Sequence, residues 1–460
     1  MSISELGAVP DGRVRQAPLS LNQEFLCMYD RGDQEGPFGP AYHIVHGWRV
    51  RGRIDVDLLR AALTDVVARH EALRSLVVRG EHGHQEIHPP APPELEVRDL
   101  GAGAPQERDQ RAEELLIQIE QDDFPVRVPL LRAVLGRFDA DDAVLVLVSH
   151  HSATDGWSMR LIIREVAARY AVRGGHPVDD LDPPRQYAEF ARWQRDLVAD
   201  AGATRTQRAY WRGQLAGAEV FTIGTDRPRS AGVAQSTGVH RFLIEADVVD
   251  AALRVGKRTR SSPFMVFYAA FAVLAHRMSG DPDVVVPTFT PGRGGDLFAN
   301  AVGSFFNFLP LRTDLTVCRT FRDVVGQVRD NCVDAYSNDF PQILAEAPAL
   351  MMPAISDDRA PCVFQLFPFP FLMDGEKVGD LEYSEIRRRL VSQPFGSDVP
   401  DGALWTLNLD SAGDVIGSVS YKNNLFDADT IATMVREYRE VLAEAVAVPD
   451  APLPVREARG

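Results

Sequence analysis

One stretch constrains the fold more than any other. The apolar run Ala143-Val144-Leu145-Val146-Leu147-Val148 leads directly into Ser149-His150-His151-Ser152-Ala153-Thr154-Asp155-Gly156-Trp157-Ser158. An unbroken apolar run of that length, rich in valine, reads as a buried strand. After the motif, Met159, Ile162, Ile163, Val166, Ala167 and Tyr170 recur at helical spacing. The chain is therefore expected to run strand, Asp-Gly turn, helix. Two imidazoles leave a rigid strand end, and the free N–H groups of a helix N-terminus lie a few residues on, where an oxyanion could form. Side chains alternate along a strand, so His150 and His151 are expected on opposite faces. One can then serve as a base and the other as a packed residue, without gripping one metal together.

The flanking chain supplies elements around this centre. Ser20 is a candidate N-cap for a helix beginning near Leu21. Asp55–His70 carries Leu58, Leu59, Ala62, Leu63 and Val66 on one helical face. Ser75–Val78 and Gln85–His88 flank a turn, and Leu130–Phe138 forms a hairpin with Ala143–Val148. His82, His84 and His88 read as a solvated hairpin tip, since no further ligands accompany them. The Gly- and Pro-containing loop at 172–177 marks the boundary between two halves, 1–178 and 179–460. In the second half, strands are expected near Val239–Ile244 and Asp283–Pro287, with a helix over Ser262–Met278. Thr288–Gly295 has the glycines of a flexible turn and no phosphate-binding fingerprint.

A formal charge of −16 argues against nucleic acid or an anionic membrane as the main partner. No apolar run reaches the ~18 residues of a membrane span, and residues 1–18 lack a signal-like apolar core. The four cysteines show no CxxC and no metal spacing. A cytoplasmic location with reduced thiols is expected.

The central string matches HHxxxDG at every fixed position, and on it the chain resembles the condensation domains of nonribosomal peptide synthesis. Further segments carry the same resemblance in order. Ser20–Leu26 is similar to the family's opening S-x-A-Q-x-R-L-W motif, with Asn22 in place of Ala. Arg69-His70-Glu71-Ala72-Leu73-Arg74 is close to RHExLR, and Tyr187–Trp193 to YxDYAxW with Glu189 for Asp. Val302–Arg312 resembles VGxFVNTxPLR with Phe306 for Val and Phe308 for Thr. Tyr336–Pro341, Pro361–Gln365 and Tyr421–Asp429 extend the likeness to about residue 450.

The resemblance implies a mixed α/β fold: two chloramphenicol-acetyltransferase-like subdomains, 1–178 with HHxxxDG and 179–460, set in a V with a central tunnel. It implies an acyltransferase joining an acyl or aminoacyl group to an alcohol or amine, ester formation being favoured. The donor would sit on the phosphopantetheine of a separate carrier protein, with no cofactor or metal bound by the enzyme itself. Adenylation, thioesterase and carrier motifs are not found, so a free-standing enzyme is expected.

Family likeness gives His151 the general-base role and His150 a structural one. Gly156 N–H is a candidate oxyanion donor. Asp155 is expected to be an ion-paired scaffold, with Arg69, Arg74 and Arg293 as candidate partners. Asn307 is a candidate tunnel residue, and Phe308 suggests an altered acceptor channel. The run Phe364–Phe371 fits either a pocket wall or core packing. Arg387-Arg388-Arg389 is a candidate carrier-docking patch. The alternatives are a relative using coenzyme A or polyketide-carrier donors, an epimerase of the same superfamily, and a docking domain without catalysis.

Overall fold

The computed structural model describes residues 13–179, 182–339, 350, 356–367, 373–389, 392–393, 395–399, 401–410 and 412–453. These hold ten α-helices and sheets of six, five, three and two strands, the mixed α/β organisation expected. Contacts divide the chain into two compact units. The first comprises Met1–Ala199, Gly292–Phe306 and Phe371–Arg387; the second comprises Asp200–Pro291, Asn307–Pro370 and Arg388–Gly460.

The first unit contains β1 (Arg15–Pro18), α1 (Leu21–Cys27), β2 (His43–Arg51), α2 (Val56–Arg69), β3 (Ser75–Val78), β4 (His84–Ile87), β5 (Glu94–Asp99), α3 (Pro105–Gln121), β6 (Leu131–Arg137), β7 (Asp142–His150), α4 (Gly156–Arg173) and α5 (Tyr187–Ala199). Its large sheet is ordered Asp374–Val378, Leu381–Glu385, β2, β7, β6, β5. All neighbours are antiparallel except β5 and β6. Every residue of β7 is buried. Leu145 and Leu147 on one face pack with Trp48 and with Leu63, Val66, Ile162 and Val166 of α2 and α4. Val144, Val146 and Val148 on the other face pack with Leu115, Leu116 and Ile119 of α3. Burying each such side chain contributes about 1.5–3 kcal/mol, so the strand carrying the histidines is anchored from both sides.

Local signals place the helices. Ser20 caps α1 in a capping box with Gln23, and Asp55 caps α2 by accepting from the Asp57 and Leu58 N–H groups. β3 and β4 form the expected hairpin.

In the second unit a five-stranded sheet runs Thr222–Gly224, Arg359–Phe367, Ala403–Leu409, Val415–Lys422, Thr237–Ile244. The helix Pro263–Ser279 is capped by Ser262 and ends on Gly280 in the left-handed region, with Met265 to Ala275 buried throughout. Phe271, Phe364, Trp405 and Tyr438 meet in an aromatic core. Phe364 therefore packs the core, while Phe369 and Phe371, like Phe340 and Pro341 of the family-like segment, lie outside the described residues. The strand expected over Asp283–Pro287 continues to Thr290, because pairing with Asn307–Asp314 holds register to its last residue. The glycine turn begins correspondingly later. No helix among the described residues is long and apolar enough to cross a membrane.

Candidate active site

His150 closes β7 opposite His43 of β2, and His151 is the first residue beyond the strand. His150 is fully buried. Its Nε2 lies 3.1 Å from the Gly39 carbonyl oxygen, which can only accept, so Nε2 carries the proton. Its Nδ1 is then the acceptor for the Ser152 hydroxyl at 2.6 Å. Both ring nitrogens are spent on structure. His151 is half-buried, and its Nδ1 lies 2.8 Å from the Thr154 carbonyl oxygen. The same logic puts the proton on Nδ1 and leaves Nε2 as a bare acceptor. Burial holds the His151 pKa below its ordinary value, with Thr154 and Asp155 opposing the shift. The ring is neutral at pH 7 and can accept a proton.

Burial pushes His150 down to about 4. Its folded pKa is depressed, so unfolding takes up a proton between pH ~6.5 and ~4, and stability falls as pH falls through that window. The expected loss is about 3 kcal/mol by pH 4. Urea unfolding of the wild type and of His150→Asn across pH 4–7 checks this: the variant is expected to lose that part of the pH dependence.

Asp155 is the N-cap of α4 and accepts from the Ser158 N–H at 2.6 Å. A carboxylate there is favoured by the helix dipole. Of the three candidate arginines, Arg293 is its partner, with Nη2 2.8 Å from both carboxylate oxygens. Arg293 also donates to the Phe298 and Ala301 carbonyls and lies 3.9 Å from the Phe305 ring centre. Arg69 instead pairs with Glu165 at 2.8 Å beside His70. Arg74 donates to the His88 and Ala68 carbonyls. Gly156 opens α4 as its first residue, and a Cβ added there would meet nothing within 4 Å, so the Cβ side of this first helical residue borders open space.

His151, His150, Asp155, Gly156 and Arg293 are thus gathered in the first unit. Asn307 belongs to the second unit, where its amide donates to Asp339. Phe308 is buried there with its edge against Phe289. Arg387 pairs with Asp374, and Arg389 with Asp410 and Asp414, so carboxylates already neighbour these arginines of the suggested docking patch. Glu86 sits 3.7 Å from both His84 and His88. No cluster of three or more metal-type side chains occurs among the described residues. Cys332 and Cys362 are buried, and burial pushes both thiols up to about 12.

Three residues that sequence reasoning did not single out complete the site. The fully buried Ser158 hydroxyl donates to the Gly303 carbonyl and accepts from Gly303 N–H and from Arg293. This stitches the start of α4 to the segment that carries Arg293. Gly303 is required for that approach, since a Cβ there would fall 2.0 Å from the Tyr187 ring. Gly303→Ala is expected to destabilise by about 1–3 kcal/mol through overpacking, seen as a lower urea midpoint. The third is Tyr42, whose ring stacks on His151. Ser158 lies inside the motif string and Gly303 inside a glycine-aromatic segment, so both had a signal; Tyr42 sits in a loop with no periodicity and had none.

A family model described as Condensation domain matches residues 16–455. The probable non-canonical nonribosomal peptide synthetase CymA of Salinispora arenicola is 32% identical over 453 residues, covering 96% of this chain and 6% of that protein. The chain thus spans a small fraction of the length of such relatives. The solved SgcC5 protein from Streptomyces globisporus, in complex with (R)-(-)-1-(2-naphthyl)-1,2-ethanediol and sucrose, is 48% identical with a TM-score of 0.91 over 95% of this chain and 100% of that one. The X-domain from teicoplanin biosynthesis in complex with OxyB is 25% identical with a TM-score of 0.72, covering 96% and 95%. With the HHxxxDG turn formed as described and the family match running over nearly its whole length, the chain belongs to the condensation-domain family of nonribosomal peptide synthesis.

Proposed function

We propose that the chain transfers an acyl or aminoacyl group from the phosphopantetheine thioester of a carrier protein to a hydroxyl of a soluble acceptor. The observation that carries this reading is the tautomer of His151, with Nδ1–H fixed on Thr154 and Nε2 bare. In the proposed step, Nε2 takes the acceptor hydroxyl proton as the oxygen attacks the thioester carbonyl. The tetrahedral oxyanion is stabilised by the Gly156 N–H, a type of contact that can contribute about 3 kcal/mol. Collapse breaks the C–S bond, and the departing thiolate takes the proton back from His151. The products are an ester and a free pantetheine thiol. An alcohol, with a pKa far above 7, depends on such a base more than an amine does. The diol held by the SgcC5 protein supports a hydroxyl acceptor here, and an aryl-substituted vicinal diol is the proposed class. Asn307 is proposed to line the acceptor path.

The test is a carrier-loaded aminoacyl donor offered a 1-aryl-1,2-ethanediol and the matched amino alcohol, with products read by mass spectrometry. Ester from the diol is expected; amide from the amine with no ester from the diol would replace the hydroxyl acceptor by an amine. The X-domain complexed with OxyB favours a second reading, a docking domain that recruits a partner without catalysis. Under that reading, substitution of His151 leaves function intact.

A further inference from the structure

The loop before β2 is held by histidines at successive carbonyls. Gly39 O accepts from His150 Nε2 at 3.1 Å, and Pro40 O from His43 Nδ1 at 3.0 Å and from Phe124 N–H at 3.0 Å. Ala41 O accepts from His43 N–H at 3.1 Å, and Tyr42 O from His151 N–H at 2.9 Å. The Tyr42 ring is almost entirely buried, packed with Leu26 and Phe38. It lies flat on His151, with ring centres 4.9 Å apart and planes 16° from parallel. His150 meets the same tyrosine edge-on at 6.0 Å.

We propose that the Gly39–Tyr42 strap is the bed of the His151 imidazole and that Tyr42 is a positioning residue, its ring face fixing the imidazole plane and aiming Nε2. A single hydrogen bond from Nδ1 to Thr154 leaves the imidazole free to swing about that bond; a stacked face removes that freedom. The first histidine then acts on the second through the strap. This assignment rests on the base role of His151 and adds the group that orients it. The tyrosine face also attracts the imidazolium formed as the acceptor proton is taken. The other charged or titratable groups facing His151 are Asp155, backed by Arg293, and His150. None of them is substituted in the changes below, and only Gly39→Ala shifts a contact of one of them, the carbonyl that holds His150 Nε2.

The experiment uses the full chain, with Tyr42→Leu, Tyr42→Phe and Gly39→Ala. Phe keeps the face and removes the hydroxyl. Gly39→Ala moves the strap without touching either ring, since a Cβ there would fall 2.7 Å from the Glu35 backbone nitrogen. For Tyr42→Leu, kcat is expected to fall about tenfold with KM within about twofold. The His151 titration followed by NMR, and with it the acid limb of kcat/KM, is expected to move about half a unit to lower pH. Tyr42→Phe is expected to match the wild type, and Gly39→Ala to follow Tyr42→Leu. An unmoved His151 titration in folded Tyr42→Leu would overturn the proposal. A moved titration with an unmoved rate profile would uphold the stack and overturn the base role of His151 instead.

Discussion

His151→Ala is expected to lower kcat/KM by about 10²–10⁴-fold, the usual worth of a positioned general base. The same change is expected to cost only about 1–3 kcal/mol of stability. The side chain is half-buried, and its removal leaves one acceptor, the Thr154 carbonyl, without a donor. That separation is what marks a catalytic residue against a packed one. His150 shows the opposite profile, being fully buried with both ring nitrogens engaged, so its substitution should register first in stability. Steady-state kinetics beside urea unfolding of the two variants distinguishes the roles. Equal losses of stability and activity in both would make His151 a structural residue.

Arg293→Met carries the second large effect. It leaves the Asp155 carboxylate, whose side chain is 13% exposed, without its cation, and breaking one side of a buried pair costs about 3–5 kcal/mol. Two backbone carbonyls and the Ser158 hydroxyl lose a donor as well. Activity is expected to fall beyond what the unfolded fraction explains, through a short chain of causes. Arg293 holds Asp155, Asp155 caps α4, and the cap fixes the neighbouring Thr154 carbonyl that sets the His151 tautomer. Arg293→Lys is expected to recover only part of either property, because an ammonium cannot reproduce the guanidinium's several planar donors or its stacking on Phe305. Denaturant unfolding and kcat measured on the folded fraction test both halves. A stable Arg293→Met enzyme with wild-type kcat would show the ion pair to be incidental.

Local features of this chain were legible where short-range physics decides them. The β7–turn–α4 unit follows from an apolar run, an Asp-Gly and a helical period; Ser20, Asp55 and Ser262 announce their helices by capping chemistry. Long-range features were not legible from pattern. Asp155 had three candidate arginines, and the partner is 138 residues away in sequence. Its segment, Gly292–Phe306, and the strands within Phe371–Arg387 return to the first unit from far along the chain. No linear boundary expresses such returns, because nothing in their local composition names the edge they join. Tyr42 was invisible for a related reason: its importance lies in a ring stacked on a residue more than a hundred positions later. Phe364 read equally as wall or core until its neighbours Phe271 and Tyr438 were known.

The most direct measurement is single-turnover discharge of an aminoacyl carrier protein by the intact enzyme, with and without a 1-aryl-1,2-ethanediol. Carrier and product are followed together by mass spectrometry. The account predicts that the thioester is consumed only when the acceptor is present, with one ester formed per carrier discharged. Discharge to the free acid at the same rate without acceptor, or ester formation unchanged in His151→Ala, would contradict it.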